Sequence, residues 1–126
     1  MAMLAAMEAA QRDHDLIQLG ALEIYPSQGL ALAAGNALSL SVREFGLLVA
    51  LARSGGGIVR REDLYRRVWG GPLRDGDRSI DVYIHKLRVK LEQALPNMRF
   101  IHTHVGFGYR FSPEPSRAFH IPATGR

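Results

Sequence analysis

Arg78-Ser79-Ile80-Asp81-Val82-Tyr83-Ile84-His85-Lys86-Leu87-Arg88-Val89-Lys90-Leu91 is the stretch on which the fold turns. Its apolar residues Ile80, Ile84, Leu87 and Leu91 recur at i, i+4, i+7 and i+11, which aligns them as one narrow stripe on an α-helix. The helix is expected from about Arg78 to Leu95, where Leu95-Pro96-Asn97 stops it, because a proline cannot continue the hydrogen-bond ladder. Turning each residue by about 100° places Arg78, Val82, His85, Lys86 and Val89 opposite the stripe. Ser79, Tyr83 and Lys90 fall on one flank and Arg88 on the other. The helix therefore has one side to bury and one basic, hydrogen-bonding side to present. A solvated surface helix carries a similar face, so the neighbouring segments decide its meaning.

Upstream, Gly70-Gly71-Pro72 breaks the chain and Leu73-Arg74-Asp75-Gly76-Asp77 makes a polar loop whose last residue can cap the helix. Before it, Arg61-Glu62-Asp63-Leu64-Tyr65-Arg66-Arg67-Val68-Trp69 has acids early and arginines late, the order that a helix dipole favours. Ile58-Val59 reads as a short strand. Ser41-Val42-Arg43-Glu44 has the form of a capping box, and Phe45, Leu48, Val49 and Ala52 give the following helix an apolar face expected to enter the core. From Leu16 to Leu40, short apolar runs alternate with turn residues and predict a small antiparallel sheet. Downstream, Phe100 to Val105 and Tyr109-Arg110-Phe111 flank Gly106-Phe107-Gly108, which predicts a hairpin. The expected class is α+β: a winged helix-turn-helix with an N-terminal antiparallel sheet, three helices and a C-terminal β-hairpin wing. Residues 1–15 read as a linker remnant or frayed segment, 16–112 as the domain, and 113–126 as a flexible tail.

A chain of 126 residues fits a single core. Its 47% hydrophobic and 22% charged residues belong to an ordered globule. With no cysteine there is no disulfide framework, thiolate nucleophile or Cys-ligated zinc, and a reducing cytoplasm is permitted. The N-terminal run lacks the basic start of a secretory signal, and charges interrupt every apolar run short of a membrane span, so a soluble protein with no membrane partner is expected. The net charge is +4 and the pI about 10.0. Of the 16 Lys and Arg residues, Arg60, Arg61, Arg66, Arg67, Arg74, Arg78, Lys86, Arg88 and Lys90 lie in one stretch, so the basic character is localised. Localised positive charge favours a polyanion, by attraction and by release of its counterions. A basic helix followed by a glycine-tipped hairpin suits double-stranded DNA: Lys or His can reach base acceptors in the major groove, Val a thymine methyl, and Ser or Tyr a phosphate oxygen.

From about Ile17 to Ser112 the chain also resembles the effector domain of OmpR/PhoB-type response regulators. The resemblance is carried by Leu40-Ser41-Val42-Arg43-Glu44-Phe45, by Arg61-Glu62-Asp63-Leu64 with Val68-Trp69-Gly70, by Arg78 to Leu91, and by Thr103-His104-Val105-Gly106-Phe107-Gly108-Tyr109-Arg110-Phe111. It implies transcription regulation through tandem binding to direct-repeat half-sites. The third helix would lie in the major groove, and the wing, His104 to Arg110 (His104, Val105, Gly106, Phe107, Gly108, Tyr109 and Arg110), near the minor groove. By resemblance Val82, Lys86 and His85 face base edges, and Trp69, Arg78, Ser79 and Tyr83 face phosphates. Arg88 serves either role, and Arg60 and Lys90 join the phosphate contacts. The loop of Gly70, Gly71, Pro72, Leu73, Arg74, Asp75, Gly76 and Asp77 would be a contact for RNA polymerase. A receiver domain and a sensor kinase are implied partners, and the receiver is not contained in this chain.

Two positions depart from the family pattern. Arg60 stands where many members have Ser or Thr; it cannot accept a hydrogen bond from the helix, so that cap is weaker and the arginine is free to meet phosphate. Val105 stands where many carry Arg, which leaves His104 and Arg110 as the nearest substitutes for a minor-groove cation. Other chemistry is less well supported. His102 and His104 share a strand face, yet no carboxylate or cysteine nearby completes a metal site. Gly106-Phe107-Gly108 precedes a strand, whereas phosphate-cradling loops open a helix. Asp75, Asp77 and Asp81 are explained by capping and loop solvation. No nucleophile, base and orienting group stand at supporting spacing, so neither an enzyme nor a cofactor is expected. Two rivals remain: a winged helix that docks an acidic protein, and a nuclease or metal-dependent hydrolase using the histidines.

Overall fold

Ile17–Leu19 (β1), Leu22–Tyr25 (β2), Leu30–Ala33 (β3) and Asn36–Ala37 (β4) pair antiparallel in the order β1-β2-β3-β4. In this computed structural model residues 16–116 are described, so the expected linker at 1–15 and the end of the expected tail, 117–126, lie outside the described residues. The alanines in β3 have a packing reason. Leu22 pairs with Ala33 and Ile24 with Ala31, all four buried, so each large side chain on the inner face is set beside a small one.

Helix α1 (Val42–Ala52) starts at the expected capping box. Ser41 Oγ accepts from the Glu44 N–H at 3.2 Å, and Glu44 Oε1 accepts from the Ser41 N–H at 2.8 Å. Ser41→Ala should destabilise the domain by about 1 kcal/mol; a urea titration showing no shift of the midpoint would contradict that. The buried face of α1 differs from the expected one. Glu44, Leu47, Leu48, Ala50 and Leu51 are buried, whereas Phe45, Val49 and Ala52 are only partly so. The helix turns Leu47, Leu48 and Leu51 into the core, and the same face carries Glu44 to Lys90, which donates to Oε1 at 2.6 Å. Burial raises the pKa of Glu44, but bonds from Lys90 and Ser41 and the Lys90 charge outweigh it and hold the carboxyl below its ordinary value.

After Ile58–Val59 (β5) comes α2 (Arg61–Trp69), which has no side-chain cap, as expected with Arg60 at its N-cap. Gly70, at φ 87°, closes α2 in the left-handed conformation, with its N–H bonded to the Arg66 carbonyl. Helix α3 (Ser79–Ala94) follows, burying Ile80, Ile84, Leu87 and Leu91 as the spacing predicted. Asp77 acts at its start, accepting from the Ser79 N–H at 2.8 Å. Met98–His104 (β6) and Gly108–Pro115 (β7) form the hairpin, and β5 joins it to give a three-stranded sheet in the order β5-β7-β6.

The second hairpin strand is longer than expected. Arg99 pairs with Glu114 and Met98 with Pro115, so the chain expected to loosen after Ser112 stays in the sheet to Pro115. Prolines are tolerated there because each lies where β7 no longer needs to donate to an inner neighbour: β5 reaches only Tyr109 and Arg110. One core joins Leu22 and Ile24 of the first sheet, the apolar faces of all three helices, and Phe100, Ile101 and Phe111 of the second.

Candidate nucleic-acid interface

Two networks fix α3 in the domain, one on each flank. On the first, Lys90 donates to Glu44 and, at 2.8 Å, to the Ser39 carbonyl. Lys90, expected at phosphate, ties α3 to the start of α1, since Glu44 is buried and needs a cation. On the second flank, Arg88 donates to Thr103 Oγ1 at 2.9 Å and to the Ile101 carbonyl at 3.3 Å. Arg88, expected among the DNA contacts, thus also reaches across to β6.

A third network lies at the N-terminal end. Asp81 accepts from Arg61 Nε at 3.2 Å and Arg61 Nη2 at 2.9 Å, and from the Tyr109 hydroxyl at 2.5 Å. Arg78 Nη1 lies 3.5 Å from the same carboxylate. Asp81 is therefore a junction of α2, α3 and β7, not the loop-solvating acid expected from sequence. Tyr109, counted with the wing, points inward to this junction. Burial first, and then the Asp81 carboxylate, push the Tyr109 hydroxyl up to about 12, so it remains a donor at neutral pH.

What these networks leave outward is a narrow face of α3: Val82, His85, Lys86 and Val89 are exposed. Lys86 Nζ sits 4.9 Å from the centre of the Tyr83 ring, a cation–π contact that steadies it without consuming its donors. Tyr83 meets Trp69 edge-on at 5.6 Å, Trp69 stacks on Tyr65 at 5.0 Å, and the Arg43 guanidinium lies 5.0 Å over the indole. Trp69 and Tyr83 are thus partly buried elements of the α2–α3 contact. Ser79 is partly buried beside Asp77, and Arg78 and Arg60 are open, with side chains 79% and 70% exposed.

On the wing, the Phe107 N–H bonds to the His104 carbonyl at 2.9 Å and closes a turn through Val105 and Gly106. Arg110 Nε donates to His104 Nε2 at 3.2 Å, and Arg110 Nη2 to Glu114 at 3.2 Å. Both substitutes for a wing cation are therefore engaged with each other. His102 Nε2 lies 2.9 Å from the Ser112 carbonyl, and no group of three or more His, Cys, Asp or Glu among the described residues could hold a metal ion. An open groove of about 430 Å³ runs between the wing and the starts of α2 and α3, lined by Arg60, Arg78, His104, Val105 and Phe107 among others. No helix among the described residues is long and apolar enough to cross a membrane.

Sequence reasoning missed Arg61, Glu44 and Arg43 as organisers of this surface. The signal was present, since all three stand inside the motifs that carry the family resemblance, but a motif does not show a residue's partner.

The family model described as "Transcriptional regulatory protein, C terminal" matches residues 35–111. The DNA-binding response regulator MtrA of Mycolicibacterium smegmatis is 32% identical over 99 residues, covering 79% of this chain and 43% of that protein. The chain spans less than half the length of the curated relatives it matches first. Among solved structures, the DNA-binding domain of CpxR from E. coli superposes with a TM-score of 0.71 at 34% identity, covering 77% of this chain and 95% of that one. The RstA DNA-binding domain of Klebsiella pneumoniae, solved in complex with the RstA box, gives a TM-score of 0.71 at 34% identity, covering 80% and 100%.

Proposed function

Because the chain belongs to the OmpR/PhoB-type family of transcriptional regulatory proteins, as their C-terminal domain, we propose that it binds double-stranded DNA sequence-specifically, as the effector half of a response regulator. One observation carries the reading: with both flanks of α3 tied inward, the remaining outward face combines Val82, His85 and Lys86 with open Arg78 and Arg60 at its N-terminal end. A convex helix face of this kind fits the major groove, and the arginines suit the phosphates beside it. Val82, His85 and Lys86 contact base edges; Arg78 and Arg60 contact phosphates, with Ser79, Tyr83 and Trp69 lining that edge. Arg88 and Lys90 hold the helix in place.

The domain works by binding rather than catalysis, in the cytoplasm, on tandem half-sites. Its regulatory partners are a receiver domain and the sensor kinase that signals to it. The Gly70–Asp77 loop (residues 70–77), which leaves α2 and returns at α3, is the surface offered to RNA polymerase. The boundaries proposed are a linker before residue 16 and a domain ending at 115 rather than 112.

The test is selection from a random-duplex pool followed by affinity measurements across salt. Two enriched half-sites about one helical turn apart are expected. Lys86→Ala should lose about 1–3 kcal/mol of discrimination at one base position. Arg78→Ala should weaken all duplexes alike and reduce the log–log salt slope by about 0.9. No duplex binding at low salt, or binding indifferent to both substitutions, would sink the proposal.

A further inference from the structure

We infer that Tyr83 is a positioning residue, whose ring face seats the Lys86 ammonium so that Lys86 discriminates between bases rather than settling on the nearest phosphate. The inference rests on the duplex recognition proposed above and gives Tyr83 a role beyond the phosphate edge. Tyr83 and Lys86 stand three residues apart on α3, the spacing at which side chains of one helix meet, and Lys86 Nζ lies 4.9 Å from the centre of the ring. Lys86 is otherwise an exposed residue. The ring attracts the cation to its π face without taking a hydrogen bond, so all three ammonium donors stay available for DNA.

A lysine needs such a seat more than an arginine would. Its ammonium is a compact point charge on a flexible four-carbon stem, with no planar fork to match a base edge. A stem that samples all its rotamers meets phosphate oxygens and base acceptors alike, and the phosphates carry the full charge. Ordering it on DNA also costs conformational freedom, which a seated stem has in part already given up. The seat itself is fixed. Tyr83 is partly buried and meets Trp69 of α2 edge-on at 5.6 Å, and Trp69 stacks on Tyr65 at 5.0 Å. The Arg43 guanidinium lies 5.0 Å over the indole, and its Nη1 donates to the Val68 carbonyl at 2.6 Å. A row from Arg43 of α1 through Trp69 and Tyr83 to Lys86 thus refers the reading cation to the contact between α1 and α2. A phosphate contact through the Tyr83 hydroxyl uses none of this, whereas Lys86 uses the ring.

The experiment measures affinities of the full chain for its selected duplex and for the base substitutions at the position where Lys86→Ala loses discrimination. The chains are the parent, Tyr83→Phe, Tyr83→Leu, and Tyr83→Leu combined with Lys86→Ala. Tyr83→Met, which refills the space without a ring, is measured beside Tyr83→Leu and carries the same expectation if the leucine variant does not fold. In the free chains, NMR reads the Lys86 ε-methylene protons, which a ring face shifts upfield. Tyr83→Phe should keep both the shift and the parent discrimination, whatever its hydroxyl contributes to all duplexes alike. Tyr83→Leu should abolish the shift and lower discrimination at that one position about two- to fivefold, the worth of an exposed cation–π contact. In the Lys86→Ala background it should lower discrimination no further, which a general loosening of the helix would not spare. Parent-like discrimination without the ring, an equal loss in Tyr83→Phe, or no upfield shift in the parent would each overturn the inference while leaving duplex recognition standing. If the parent chain itself binds no duplex, both readings fall together.

Discussion

Gly108→Ala is expected to destabilise the domain by about 3 kcal/mol or more, because among the described glycines it is the one where an added Cβ would come closer than 3.0 Å to other atoms. Gly108 opens β7 at φ 154°, and a Cβ there would drive into the carbonyl group of Val59 and come within 3.0 Å of the Arg60 Cα. These are backbone atoms, which cannot rotate aside as a side-chain tip would. The pairing of Val59 with Tyr109 must open, and it is this pairing that seats β5 on the hairpin. Tyr109 would then be drawn from Asp81. For a domain of about this size each kcal/mol shifts the melting temperature by roughly 4–8 °C, so calorimetry should find a fall above about 12 °C. A melting temperature within a degree or two of the parent would mean that β5 yields freely.

Asp81→Ala should be the most damaging change on the interface side, at about 2–3 kcal/mol. It strips Arg61 of both carboxylate bonds and leaves the buried Tyr109 hydroxyl without its acceptor. Tyr109→Phe removes one bond while also removing the group that needs it, so about 1 kcal/mol is expected there. The Asp81 variant should also weaken duplex binding, because the wing and α3 lose their common anchor. The junction has a pH signature. Burial raises the pKa of Asp81, but the Tyr109 and Arg61 hydrogen bonds and the Arg61 charge more than compensate, so its folded pKa lies below the ordinary aspartate value. A depressed carboxylate pKa gives stability that is fully present above the unfolded value and is lost as pH falls through the folded one. Urea midpoints measured downward from neutral pH should therefore be flat at first and then decline in the acid range. Asp81→Ala should remove part of that decline, and Glu44, whose pKa is also lowered, should account for another part. An identical acid limb in parent and variant would contradict this assignment.

Much of the architecture was legible because it is local. The α3 stripe, the Ser41–Glu44 box, the missing cap at Arg60 and the glycine turn of the wing each follow from residues a few positions apart, and each stands in the structure where its spacing put it. The interface was legible in outline only. Arg88, Lys90, Tyr109 and Arg110 look on paper like solvent-facing groups of a basic segment, yet all four are bonded within the domain. Similarly Asp81 reads as a helix-start acid, and the buried face of α1 was placed on Phe45 and Val49 rather than on Leu47 and Leu51.

By itself, then, the sequence determined the element order, the fold class, the burying side of α3 and the excess of positive charge beside it, because periodicity, capping and turn chemistry act over a handful of residues. Only the tertiary structure decided how much of that charge is available. A helical projection sorts residues by angle about one axis, but cannot tell which neighbour abuts each flank. Here α1 takes one flank through Glu44 and Lys90, and β6 takes the other through Thr103 and Arg88, partners 46 and 15 residues apart in the chain. What is left facing outward is Val82, His85, Lys86 and Val89, with Arg78 at the end of the helix and an apolar wing tip alongside.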